Sequence, residues 1–153
     1  MTQIDVCVYS NLKYRSDVLE EGNFKEVYIV KNESFSGHAD ELENGVYDGD
    51  MIAFFGVHYQ DWCDKLGELV GLKPKRMWKK AKSEYAHFNF YKLIDFSDNG
   101  VIGPKTSAKL CQDFQINREK AKSSLKEKDF EIYEKWLNGF KVASETNGAV
   151  IFE

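Results

Sequence analysis

The chain has 153 residues, of which 42% are hydrophobic, 14% aromatic and 30% charged. This composition is typical of one globular domain and excludes a disordered chain. The net charge of −4 is opposite in sign to that of most nucleic-acid-binding domains. No apolar run approaches the ~20 residues of a membrane span, and the N-terminus lacks the basic and apolar regions of a secretory signal. We therefore expect a cytoplasmic protein that does not enter a membrane.

The cysteine and histidine residues, which could bind metals or act as nucleophiles, are scattered along the sequence. The three cysteines, Cys7, Cys63 and Cys111, are odd in number and far apart, which indicates reduced, buried thiols rather than a disulfide framework. The histidines form no metal-ligand spacing, and neither a glycine-rich phosphate loop nor a nucleophile elbow is present. We expect no metal and no cofactor.

Charge is unevenly distributed along the chain. Residues 1–50 contain 11 acidic and 4 basic side chains, a net of −7, and residues 51–153 contain 14 acidic and 17 basic ones, a net of +3. An acidic first third would repel nucleic acid and attract a basic protein partner. A merely solvated surface is the alternative interpretation.

The sequence of the first third of the chain predicts β-strands and a long polar segment between two of them. Alternating apolar residues predict a strand over 4–9, and a second β-rich segment covers 24–30. Residues 32–50 are rich in Gly, Asn, Ser and acids, and Asn44-Gly45 and Asp48-Gly49 are turn signals. This segment is expected to be turn-rich and mobile. The apolar run 51–56 predicts a buried third strand.

The middle of the chain predicts two helical segments and a strand. Residues 59–70 carry apolar residues at helical spacing, and Gly71 supplies a left-handed C-terminal residue. A basic helical segment follows at 73–82, and an aromatic strand is predicted at 88–96. The face of the first helix expected to be buried consists of Tyr59, Trp62, Cys63, Leu66, Leu69 and Val70.

The stretch 93–114 passes from an apolar run through a polar loop to a helix that starts at Gly103-Pro104. Its Ala108, Cys111 and Phe114 are expected to pack inward. The loop partly imitates a calcium site, but Thr106 stands where a bidentate Glu is required.

An aromatic stripe predicts the longest helix over 128–146, in which Gly139 would allow close backbone packing. Asn147-Gly148 ends that helix, and a buried strand follows at 149–152. The resulting order of elements favours an α+β fold: a mostly antiparallel sheet of about five strands, covered on one face by three to four helices, in a single compact domain spanning 1–153.

Three segments together resemble a known family. They are FFGVHYQDWCDKLGELVG at 54–71, FYKLIDFSDNGVIGPKTSAKLCQDF at 90–114 and FEIYEKWLNGFKVASETNGAVIFE at 130–153. They are similar to small bacterial proteins associated with polymorphic-toxin immunity, the immunity protein 70 type. The family's loop more often reads FSD followed by a small residue, an acid and Gly, whereas here Asn99 directly precedes Gly100. The resemblance implies an α+β fold and a neutralising, protein-binding role, and it brings no catalytic residues.

The leading hypothesis is therefore a non-catalytic cytosolic protein of immunity or inhibitor type, which neutralises a toxin or effector by direct contact. A tight interface needs buried anchors within a polar rim. In the acidic segment, Phe35 and Tyr47 are the candidate anchors, and the candidate rim consists of Asp40, Glu41, Glu43 and Asp48.

Two alternatives stay open. One is a small enzyme or ligand-binding domain whose pocket would combine His58, Asp61, Ser97 and Asp98. The other is nucleic-acid binding through 73–82, where six cations flank Trp78, which could stack on a base.

Overall fold

The computed structural model describes residues 3–14, 26–29, 42, 45–71, 89–90, 93 and 100–152. Nine elements lie within them. In chain order they are β1 Gln3–Tyr14, β2 Glu26–Ile29, β3 Gly45–His58, α1 Tyr59–Leu69, β4 Gly100–Ile102, α2 Pro104–Ile116, α3 Arg118–Ser124, α4 Glu127–Glu145 and β5 Ala149–Phe152.

The strands form one sheet in the order β2-β3-β1-β5-β4, and every neighbouring pair is antiparallel. The predicted α+β fold is confirmed, with its mostly antiparallel sheet and its helices.

The helices cover one face of this sheet. Ile4, Val6 and Val8 of β1 belong to the main hydrophobic core together with the apolar faces of α1, α2 and α4. At its centre the ring of Trp136 meets Phe55 edge-on, with the ring centroids 5.2 Å apart. We call this side of the sheet the helix face and the opposite side the outer face.

α4 lies unusually close to the central strand. A Cβ atom added at Gly139 would lie 2.9 Å from Cγ2 of Val8, a separation shorter than carbon atoms tolerate without movement. The expectation that Gly139 allows close packing is confirmed. Val8 is fully buried, so its side chain has little room to move away from an added methyl group.

Polar contacts join the helices to one another. The hydroxyl of Tyr133 on α4 donates to the carbonyl of Phe114 on α2 at 2.6 Å. The ammonium of Lys65 on α1 lies 2.9 Å from a carboxylate oxygen of Asp129 on α4. Since the tyrosine is buried, its hydrogen bond prevents an unpaired hydroxyl in the core.

β1 is longer than predicted, because an irregularity lets it continue. The register with β3 shifts between Ser10 and Lys13, and Asn11 has a positive φ of 53°. The backbone N–H groups of Asn11 and Leu12 donate to the carbonyls of Thr146 and Asn147, at 3.1 and 3.2 Å. The extra residue reverses the side-chain alternation, so Leu12 packs in the outer-face cluster instead of the main core.

Two predicted segments differ from the structure. The expected turn at Asp48-Gly49 is wrong, because both residues lie within β3. A Cβ at Gly49 would lie 2.5 Å from a methyl group of Leu12, so this glycine serves packing between strands. The strand expected over 88–96 is also wrong where residues are described: Phe90 lies in a turn and Leu93 is helical.

The inward face of α2 is shifted from the predicted one. Cys111 and Phe114 are buried as expected, but Ala108 is exposed. Ser107 and Leu110 are buried in its place. The helix therefore packs inward at 107, 110, 111 and 114, a regular 3.6-residue stripe that is offset from Ala108.

Candidate functional site

Three large apolar side chains lie side by side on the surface of β3. Met51 is 47% exposed, Ile52 is 45% exposed and Phe54 is 60% exposed. We call these three residues the β3 patch. The expectation of a buried strand over 51–56 is wrong for them, although Phe55, which follows Phe54, is buried. Adjacent exposed apolar residues of this size are typical of interaction surfaces.

The register of β3 against β1 explains the patch. Phe54 pairs with Cys7, and Met51 pairs with Tyr9, and neither of these β1 residues belongs to the main core beneath the helices. Phe54 and Met51 therefore project from the outer face. Val8 pairs with Ala53 and Tyr9 with Met51, so Ile52 is the extra residue of a β-bulge. The bulge keeps the three patch residues contiguous along the strand.

Another part of the outer face is apolar and buried. Its buried cluster consists of Leu12, Leu42, Tyr47, Val101, Ala149 and Ile151. Tyr14 packs against it, with its ring edge-on to Tyr47 and the centroids 5.3 Å apart. Cys7 pairs with both Phe54 and Ile151, so the β3 patch is continuous with this cluster across the sheet.

One acidic residue, Asp5, lies near the patch on the outer face. Asp5 is exposed, pairs with Gly56 and lies on the outer face two residues from Cys7. Asp50 immediately precedes Met51 and is exposed, but it pairs with Ser10 and therefore projects from the helix face. β3 contains two aspartates and no lysine or arginine. On the outer face, Asp5 therefore places a negative charge near the patch, which favours a partner with a basic residue there.

None of the residues that the sequence offered as partner contacts belongs to this patch. Phe35, Asp40, Glu41 and Glu43 all lie outside the described residues. Tyr47 is only 5% exposed and belongs to the outer-face cluster. Its ring therefore packs inside the protein and does not present a surface to a partner. Asp48 is half-buried in β3 and pairs in register with Lys13.

The proposed ligand pocket is only partly described. His58 is exposed at the end of β3, and Asp61 is half-buried in the first turn of α1. His58 immediately precedes α1 but makes no side-chain hydrogen bond that caps it. Ser97 and Asp98 lie outside the described residues, as does the basic segment 73–82, so both alternatives stay predictions.

One buried carboxylate, that of Asp113, has architectural partners. Asp113 is almost completely buried and its carboxylate accepts the backbone N–H of Phe90 at 3.1 Å as well as a hydrogen bond from Lys109. Burial raises the pKa of the Tyr133 hydroxyl and that of the Cys111 thiol. Both groups are therefore neutral at physiological pH, which suits packing rather than nucleophilic catalysis.

Within the described ranges, no group of three or more His, Cys, Asp or Glu residues could hold a metal ion. None of the described helices combines the length and apolar character needed to cross a membrane. No family model, curated protein or solved structure matches the chain.

The patch was foreseeable from two features of the sequence taken together. The run MIAFFGV is continuously apolar, as in a strand covered on both faces, whereas the predicted sheet has helices on one face only. In such a sheet every second residue of an apolar run faces away from the helices. Phe54 is one of those residues.

Proposed function

We propose that the protein is a cytosolic binding protein of the immunity type, which neutralises a toxin or effector by direct contact, and that the β3 patch is its contact surface. The observation that supports this most is the exposure of Met51, Ile52 and Phe54 side by side on one strand. Interfaces draw most of their binding energy from a few large side chains that become fully desolvated.

The patch is held rigidly before any partner arrives. β3 pairs with β1 from His58 to Tyr47, and Phe55 and Val57 anchor the same strand in the main core. A surface that is already ordered loses little conformational entropy on binding. An immunity protein requires tight binding, and preorganisation favours it.

The thiols are compatible with a reducing compartment. Cys7, Cys63 and Cys111 are all buried and none forms a disulfide. Free buried cysteines are usual in cytosolic proteins, where an immunity protein of this type would act. The acidic first third of the chain would speed the encounter with a basic partner.

Co-expression tests this proposal. A toxin encoded by a gene adjacent to that of this protein is expressed in bacterial cells with and without the full chain. The proposal predicts that the chain restores growth and co-purifies with the toxin. Growth arrest that is unchanged by the chain, together with no co-purification, would refute it.

A further inference from the structure

The register of β1 against β3 places a carboxylate close to the most exposed ring of the β3 patch. Asp5 pairs with Gly56, two residues along from the pair of Cys7 and Phe54, so all four lie on the outer face. Asp5 is therefore a diagonal neighbour of Phe54, at a spacing of about 7–8 Å, which long side chains can span. Both side chains are exposed.

A glycine separates the ring of Phe54 from the next outer-face side chain of β3, that of His58. A Cβ atom added at Gly56 would collide with the side-chain amide of Gln3, so this amide occupies the space that a larger residue would fill opposite Asp5. The amide carries a carbonyl oxygen that can accept hydrogen bonds. We call the group formed by Gln3, Asp5, Phe54 and Gly56 the outer-face notch.

The charge of the outer-face notch is not balanced by any described side chain. The described ion pairs use other carboxylates, those of Asp113, Glu119, Asp129 and Glu134. The face of an aromatic ring is also electron-rich and attracts cations. A cation that contacts the ring of Phe54 and the carboxylate of Asp5 together would therefore be favoured by both groups.

The same combination of ring and carboxylate already holds an arginine elsewhere in this protein. The guanidinium carbon of Arg118 lies 5.4 Å from the centroid of the Phe130 ring, and the guanidinium also pairs with the carboxylate of Glu134. Phe130 and Glu134 are four residues apart on α4, so they are neighbours on its surface. Phe54 and Asp5 present the same two groups from neighbouring strands.

We propose that the partner inserts an arginine into the outer-face notch, where its guanidinium stacks on the ring of Phe54 and donates hydrogen bonds to the carboxylate of Asp5. This inference rests on the proposed function, since it specifies the chemistry by which the β3 patch recognises a protein. Arginine fits better than lysine, because a planar guanidinium can stack on a ring while its fork of N–H donors meets a carboxylate. Met51 and Ile52 would contact apolar groups around that arginine.

Double-mutant cycles with the toxin encoded by the adjacent gene test the inference. Each surface arginine of the toxin is changed in turn to lysine, and each toxin variant is titrated calorimetrically into the full chain and into its Asp5→Asn variant. One Arg→Lys change should weaken binding to the wild-type chain about tenfold or more, and should weaken binding to Asp5→Asn less than about threefold. Glu131→Gln removes the same charge from an exposed position on α4 and should behave as the wild type.

A second arm does not depend on that toxin. A synthetic single-domain antibody library is selected on the full chain and counter-selected on the Phe54→Asp variant, whose fold is verified by circular dichroism. The selected binders should carry an arginine whose change to lysine weakens binding to the wild-type chain but changes binding to Asp5→Asn little. Phe54→Leu, which keeps an apolar side chain but removes the ring, should weaken the same binders severalfold.

Three results would overturn the inference. They are a bound toxin with no arginine that couples to Asp5, selected binders that contact the notch through lysine or apolar residues alone, and a dimer of the chain that Phe54→Asp dissociates in sedimentation experiments. The last would assign the patch to a second copy. If the toxin is neutralised without a coupled arginine, the inference is wrong and the proposed function stands. If the toxin is not bound, the proposed function fails and the selected binders decide whether the notch takes arginine.

Discussion

Gly139→Ala is expected to destabilise the protein, although alanine is the better helix former. The substitution favours the helical backbone by about 1 kcal/mol. Its new Cβ, however, would lie 2.9 Å from Cγ2 of Val8. Val8 is fully buried on the central strand and its β-branched side chain is stiff. Overpacking of this kind costs about 1–3 kcal/mol, so the net loss of stability should be at most about 2 kcal/mol.

Chemical denaturation of Gly139→Ala, Val8→Ala and the double variant measures this directly. Val8→Ala alone should destabilise because it leaves a cavity. In the double variant the two methyl groups no longer collide, so the combined loss should be smaller than the sum by about 1 kcal/mol or more. A Gly139→Ala protein as stable as the wild type, with no coupling to Val8, would refute the close approach of α4 to β1.

Two further predictions concern buried polar groups. Asp113→Ala should lower the free energy of unfolding, measured by urea denaturation, by about 1–3 kcal/mol, because the backbone N–H of Phe90 loses its acceptor. Asp113→Asn retains an acceptor and should lower it less. Equal losses for the two variants would contradict the role of that hydrogen bond. Burial raises the pKa of Tyr133 in the folded state. As the pH rises, the unfolded chain therefore loses this proton at a lower pH than the folded protein does. The free energy of unfolding should then fall as the pH rises above about 10. Tyr133→Phe should remove this part of the alkaline decline, and an unchanged pH profile would contradict it.

Helices were predicted well because their information is local. The apolar spacing in 59–70 and 128–146 specifies α1 and α4 to within about a residue at each end. Gly71 has the expected positive φ of 77°. Each of these features depends on residues within a few positions of one another, so tertiary contacts did not need to be known.

Strands were predicted less completely because their limits depend on distant partners. β1 continues past Tyr9 only because Asn11 and Leu12 donate backbone hydrogen bonds to residues that follow α4. Gly49 resembles a turn residue in sequence, yet it lies opposite β1 and makes room for Leu12. Neither interaction can be inferred from neighbouring residues, since the contacting groups are far apart in the chain.

The candidate site illustrates the same limit. The sequence directed attention to Tyr47 as an anchor because it is aromatic and lies in an acidic segment. The structure buries that ring and exposes Phe54 instead. Which of two aromatic residues on one strand is exposed depends on strand register and on the bulge at Ile52, and both require the partner strand.

The central claim is that the β3 patch binds a partner, and a matched pair of variants tests it. Phe54→Asp places a charge in the patch, whereas Ile116→Asp makes the same change at a 65% exposed position at the end of α2. Calorimetric titration of each purified chain with the toxin encoded by the adjacent gene gives the dissociation constants. Loss of a central anchor is typically worth about 2–4 kcal/mol, or a roughly 30- to 1,000-fold weaker complex. We predict that loss for Phe54→Asp and almost none for Ile116→Asp; equal affinities for the two variants would contradict the claim.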